Sequence, residues 1–227
     1  MEWVKDPYYS LPECSNSDLS WMLSFFEPED LKYDKEKAYA AGTLLDCCIT
    51  EAHKVNYFKH TCAGNQYTKE DFDRTAKMKA SFWRDPYCRM LAENSDMQKI
   101  TRCQDFKITY DGLTFVLPFR IKWDLYAWHT INQGGDIKST TAKTWAEFLA
   151  ACKHFQYFRQ RALYMDVESA ALGRSIDTDT LIGISKVNYQ VFKVPIVRGG
   201  ELYNIGREQY SRLGFQYASL FGNIKAA

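Results

Sequence analysis

The sequence predicts one α/β domain in which a mixed sheet is flanked by helices. Three observations predict it. The 227-residue chain is long enough for one sizeable core and short for two ordinary domains. Helical periodicity dominates residues 1–95, and strand alternation begins only after Asp96. The later order is a meander of strands, a long helix, two more strands and a last helix, which suits helices packed on a mixed sheet. There is no internal repeat and no low-complexity linker. The change near residue 96 is therefore a change of element type within one domain spanning 1–227, with a helical part (1–95) and a sheet core (96–227).

Residues 1–14 are rich in aromatics and carry two prolines, which predicts an extended arm. Ser15-Asn16-Ser17 offers N-caps before Leu19, Trp21, Met22 and Phe25, a short amphipathic helix that Pro28 should end. A second helix is expected over 34–53. A third is expected over 68–94, where Phe72, Ala76, Met78 and Phe82 roughly follow helical spacing and Pro86 should kink or break it. Phe106, Ile108 and Tyr110 alternate with polar residues, Asp111-Gly112 is a hairpin turn, and Leu113 to Trp123 should continue as strand. Residues 126–131 and 135–138 read as a further strand pair or one interrupted strand. A long helix over 144–167, strands at 181–185 and 189–195, and a helix over 200–221 complete the order.

Composition excludes several classes. With 46% hydrophobic and 25% charged residues the chain reads as soluble and globular, and the 15% of aromatic residues belong mostly to a core. No apolar run approaches the length of a membrane span, and no leader is evident at the N-terminus. The seven cysteines are scattered without a Cys-x-x-Cys pair. That pattern suits a reducing cytoplasm and argues against a disulfide framework or a zinc ribbon. There is no G-x-S-x-G elbow and no phosphate loop of Walker type. A net charge of +1 says nothing for nucleic acid. Locally, Lys138, Lys143, Lys153, Arg159 and Arg161 face only Glu147, either a phosphate-neutralising surface or an ordinary solvated helix face.

The stretch that carries chemistry is FRIKWDLYAWHTINQGGDIKSTTA, residues 119–142. Asp124 ends an apolar strand, and twelve residues later comes Asp136-Ile137-Lys138. In a strand 136 and 138 share a face, so a carboxylate and an ammonium stand together, and a neighbouring strand could bring Asp124 to them. Phosphodiester hydrolysis uses such a set. Two hard carboxylates suit Mg²⁺, which keeps several waters. The metal acidifies water and offsets charge on the phosphate, and a lysine stabilises the same charge. Gly134-Gly135 would let backbone approach a ligand closely. On the following helix Gln160 and Tyr164 lie four apart on one face.

This layout, strand–acid, strand–acid-x-Lys, then a helix with Gln-x-x-x-Tyr, resembles the RecB-like and RecE-like branch of the PD-(D/E)XK nuclease superfamily. The phrases SNSDLSWML, AAGTLLDCCITE, GGDIKSTTA, FRQRALYMD and LIGISK carry a resemblance to RecE-type exonucleases of phages and prophages over nearly the whole chain. The resemblance implies a restriction-endonuclease-like core and metal-dependent cleavage of DNA, in phage recombination or DNA processing in a bacterial cytoplasm. It implies Asp124, Asp136 and the Ile137 backbone carbonyl as metal ligands, Lys138 as the catalytic lysine, and Gln160 and Tyr164 as positioners of the strand being cut. It further implies Mg²⁺ with Mn²⁺ able to substitute, DNA as partner, a ring-shaped homo-oligomer, a single-strand annealing protein as associate, and no membrane. Ser139, Thr140, Lys143, Arg159 and Arg161 are the expected DNA contacts. The chain departs from the family where a helix histidine is usual: Gly42-Thr43-Leu44-Leu45 is followed by Asp46. An aspartate suits Mg²⁺. Glu51 is the alternative, some 140° further around the helix (five steps of roughly 100°), so the two are not expected on one ion. Three readings stay open: an exonuclease, a structure-specific or restriction-type endonuclease with the same site, and a degenerate nuclease fold that binds DNA or serves assembly.

Overall fold

The computed structural model describes residues 6–26 and 35–222; Pro28 and the first five residues of the arm lie outside these. After a 3-10 turn at Pro7–Ser10 come helices α1 (Asn16–Phe26) and α2 (Lys35–Thr50). A small meander follows, β1 (Val55–Asn56), β2 (Thr61–Cys62) and β3 (Asn65–Gln66), then α3 (Lys69–Arg84) and α4 (Pro86–Glu93). The sheet region holds β4 (Asp96–Cys103), β5 (Lys107–Tyr110), β6 (Leu113–Val116), β7 (Phe119–Ala127) and β8 (Gln133–Thr140). Helices α5 (Trp145–His154) and α6 (Tyr157–Leu172), strands β9 (Thr178–Ser185) and β10 (Val191–Val197), and α7 (Glu201–Phe221) complete the order.

Five strands form the central sheet in the order β10-β9-β8-β7-β4. Only β8 and β9 run parallel; the other neighbours are antiparallel, so the sheet is mixed. Helices cover both faces. On one, Leu19 and Met22 of α1, Phe148 of α5, Phe158, Leu163 and Val167 of α6, and Tyr203 and Leu213 of α7 build the larger core. On the other, Leu45 and Ile49 of α2, Met78 and Phe82 of α3, and Leu91 of α4 pack on Leu125, Ile137, Ile182 and Ile184. The architecture is the mixed α/β class that the sequence predicts.

Local departures have local causes. Asp85 is extended before Pro86, as a residue preceding proline must be, and its carboxylate accepts from the amides of Tyr87 and Cys88 to start α4. The expected long helix over 144–167 breaks at Gln156, whose φ of 53° is left-handed, giving α5 and α6. Pro118 interrupts the expected strand 113–123, so β5 and β6 form a separate hairpin sheet and β7 starts anew. The sequence reading missed β4, whose apolar residues Met97, Ile100 and Cys103 recur every third position, as well as the two-residue strands β1–β3. Described arm residues are not free: Tyr8 is buried, and Cys14 bridges Phe119, taking the Pro118 carbonyl and giving its own to Arg120.

The centre of the sheet splits. β7 pairs β4 along nearly all its length, and β8 pairs β9 over 135–140. Yet β7 and β8 pair only from Leu125↔Gly135 to Ala127↔Gln133 and then part. Gly134 and Gly135 are required at this point by packing alone. A Cβ on Gly134 would meet the Trp128 and Trp123 rings at 2.8 and 2.9 Å, and one on Gly135 would meet Leu91 at 2.7 Å.

Distortion is concentrated at the same place. Trp123 joins the α6-side core and Leu125 the α2–α4-side core, although residues two apart normally share a strand face. Opposite Asp124, between the pairs Met97↔Leu125 and Lys99↔Trp123, Gln98 leaves the ladder with φ of 58°. A left-handed backbone costs a non-glycine residue about 1–2 kcal/mol. Gln98→Gly is therefore expected to be more stable than Gln98→Ala by about 1 kcal/mol, since both lose the side chain and only glycine relieves the backbone. Urea midpoints of the two variants check this; equal midpoints would remove the strain.

Candidate active site

Where β7 and β8 part, side chains replace the ladder. Asp124 Oδ2 accepts the Ile137 amide at 2.8 Å, a donor that β7 backbone no longer satisfies. Asp136 is buried and paired on both oxygens: Lys138 Nζ lies 2.5 Å from Oδ2, and Arg161 Nη2 lies 3.6 Å from Oδ1. Arg161, itself fully buried, also reaches Asp179 Oδ2 at 3.2 Å through Nη1. These are ion pairs without hydrogen bonds: Nε, Nη1 and Nη2 of Arg161 have no hydrogen-bond acceptor. The guanidinium instead stacks 4.3 Å from the Tyr164 ring centre and 5.2 Å from that of Trp123.

From the other face α2 contributes Asp46. Its two oxygens each accept from Gln98 Nε2 at 3.1 Å, and Oδ1 also accepts from the Thr50 hydroxyl at 3.0 Å. The distorted backbone of β4 thus aims an amide at the helix carboxylate.

Burial and mutual repulsion define the electrostatics. Burial first, then the Asp136 and Asp46 charges, push the Asp124 carboxyl well above the usual range. Burial pushes Asp46 up to about 7, with Cys47 and Glu51 adding to it and Thr50 opposing. Burial also raises Asp179 to about 6 against the pull of Arg161. For Lys138 burial works against the charge, but Asp136 and Asp124 outweigh it, so the ammonium keeps its proton.

The structure brings together Asp124, Asp136, Lys138 and the Ile137 backbone, with Asp46 in electrostatic reach of Asp124. Glu51 is held by Lys54 at 2.6 Å and is not among the groups acting most strongly on Asp124. Gln160 is half-buried with its side chain near the Tyr164 hydroxyl, while Tyr164 itself is buried against Trp123 and Arg161. Lys143 is exposed, Ser139 half-buried, and Thr140 buried with its hydroxyl accepting the Ala142 amide.

Two expected DNA contacts need correction. Arg159 is 3% exposed and ties α6 to α1 through Asn16 and Ser20, and Arg161 is 0% exposed. The run of bases from 138 to 161 is therefore not one surface. Helix α6 is covered on nearly every side, so its charges turn inward to buried partners. Gln98 and Asp179 were not singled out by the sequence. Gln98 carried no signal, lying in an unrecognised strand. Asp179 stands two residues before the expected start of its strand, which is buried on both faces and so gives no alternation that would have singled it out.

Among the described residues no three His, Cys, Asp or Glu side chains gather into a metal-holding group. Mg²⁺ does not need one, since one or two carboxylates with waters and substrate phosphates suffice. Asp124 fits that role: one oxygen serves the Ile137 amide, and its raised proton affinity marks negative charge that a cation would relieve. Asp136 fits less freely, because Lys138 and Arg161 already occupy its oxygens.

A pH effect follows for the metal-free protein. Asp46 binds its proton up to about pH 7 in the fold but only to about its ordinary 3.8 when unfolded. Between those values the native state holds the extra proton, so this group favours folding at low pH and its contribution is lost as pH rises toward 7. Asp46→Asn should flatten that decline. Urea midpoints of both proteins in EDTA across the window test it, and parallel curves would refute it.

No family model matches the chain, and no curated protein matches it. Among the described residues no helix is long and apolar enough to cross a membrane. A crystal structure from Eubacterium rectale described as a "Putative exonuclease" superposes with a TM-score of 0.62 at 15% identity, covering 96% of this chain and 85% of that one. A second solved structure, SSO0001, has a TM-score of 0.34 at 9% identity, over 91% of this chain and 86% of that one, too distant to carry an argument. The chain therefore shares its fold with the Eubacterium rectale protein.

Proposed function

We propose that the protein is a Mg²⁺-dependent DNA exonuclease of the PD-(D/E)XK type. The observation that carries the reading is the split between β7 and β8, which sets Asp124 beside Asp136-Ile137-Lys138. The fold shared with the "Putative exonuclease" supports it. Asp124, Asp136 and the Ile137 carbonyl would hold the ion, with Asp46 the nearest further carboxylate. Bound Mg²⁺ supplies positive charge against the phosphate and makes water more acidic. Lys138 keeps its proton, so its part is to steady negative charge and orient water, not to act as a base. Arg161 holds Asp136 from below, and Tyr164 positions Gln160 toward the strand being cut. A ring-shaped oligomer, an annealing partner, substitution by Mn²⁺ and a role in phage DNA in the bacterial cytoplasm belong to the same proposal and rest on the sequence resemblance.

One observation favours a second reading, a DNA-binding protein with a degenerate site: both Asp136 oxygens already face cations. End-labelled linear duplex and closed circular plasmid, each with Mg²⁺ and with EDTA, separate the readings. The expected result is metal-dependent loss of the linear duplex alone. Cutting of the circle would identify an endonuclease, and binding without cleavage would leave the degenerate site.

A further inference from the structure

On the α2–α3 side of the sheet a narrow recess opens beside the acid-x-lysine strand. Ser139, the residue after Lys138, lines it together with Arg74 and Asp71 of α3 and Lys186, which follows β9. Three elements distant in sequence thus bring two cations and a hydroxyl to one place. We propose that Arg74, Lys186 and Ser139 form a subsite for a backbone phosphate of the DNA duplex at the mouth of this recess, on the α2 face of the sheet from which Asp46 also approaches and opposite the face that carries Asp136 and Lys138.

Charge balance supports this. Arg74 Nη1 lies 3.4 Å from Asp71 Oδ1, but the other Asp71 oxygen is engaged in the Thr68 cap of α3. Lys186 is half-buried and, among the described residues, forms no ion pair, although Asp71 lines the same recess. Burial and the Arg74 charge instead push its ammonium down. Two cations drawn together while half out of water repel unless an anion joins them, and the recess has one carboxylate for two cations. The Lys186 backbone is fixed for this role, its amide donating to the Thr140 carbonyl at 2.8 Å at the end of the catalytic strand. A phosphodiester adds the missing charge, and the Ser139 hydroxyl can donate to it.

The inference rests on DNA being the substrate, so its test reads binding and cleavage separately. Affinity for a fluorescent blunt duplex is measured in EDTA against salt concentration for the full chain, Arg74→Gln, Lys186→Gln, Lys186→Arg and the double glutamine variant. Each glutamine should weaken binding without regard to sequence and lower the log–log salt slope by about 0.9, the double variant by about twice that. Lys186→Arg should keep the slope, whereas a loss equal to that of Lys186→Gln would make the lysine a packing residue and overturn the proposal. Unchanged slopes in both glutamine variants would also overturn it, while leaving a cleaving wild type a nuclease. A wild type that binds duplex but never cuts it, with slopes falling as stated, would keep the subsite and remove the nuclease. A wild type with no affinity for duplex removes the subsite.

Discussion

Asp136→Ala is expected to cost the fold about 3–5 kcal/mol, beyond any effect on cleavage. The structure gives Asp136 a second task, because it and Asp179 are the carboxylates paired with a fully buried Arg161. Alanine would leave a guanidinium out of water with Asp179 alone, and three of its nitrogens already lack hydrogen-bond acceptors. For a chain of this length the loss corresponds to a fall in melting temperature of roughly 6–20 °C. Asp136→Asn keeps volume and polarity and should cost less. A melting temperature for Asp136→Ala within a degree or so of wild type would show that Asp136 does not balance the buried charge.

Lys138→Ala should do the reverse, lowering turnover by about 10²–10³-fold while costing less stability than Asp136→Ala. Its ammonium reaches Asp136 from the more open side, and Arg161 remains to pair that carboxylate when it is gone. In the proposed nuclease the loss should fall on kcat, with duplex affinity in EDTA largely kept, as expected of a charge that acts where negative charge grows during reaction. Turnover within threefold of wild type would remove Lys138 from the reaction. Together the two variants distinguish a charge that holds the site from one that acts in it.

Much of the architecture was legible because it rests on local chemistry. Proline at 86, the Asp111-Gly112 hairpin, the apolar run of β9 and the alternation of β10 each dictate their own element through backbone restriction or burial. β4 was not legible, since an edge strand half exposed on both faces needs no strict alternation. The same holds for the break at Gln156, where no glycine or proline announces the left-handed turn.

By itself the sequence determined the mixed α/β class and the proximity of Asp136 to Lys138, because a two-residue period puts their side chains on one face. Only the tertiary structure decided the rest. The parting of β7 from β8 turned Asp124 toward the Ile137 amide, and the packing of α2 chose Asp46 over Glu51 as the carboxylate near it. Encirclement of α6 turned Arg159 and Arg161 from expected DNA contacts into buried clasps. Charge along a chain carries no sign of which way it will face. That is decided by what packs around it, and a buried charge must find its partner there.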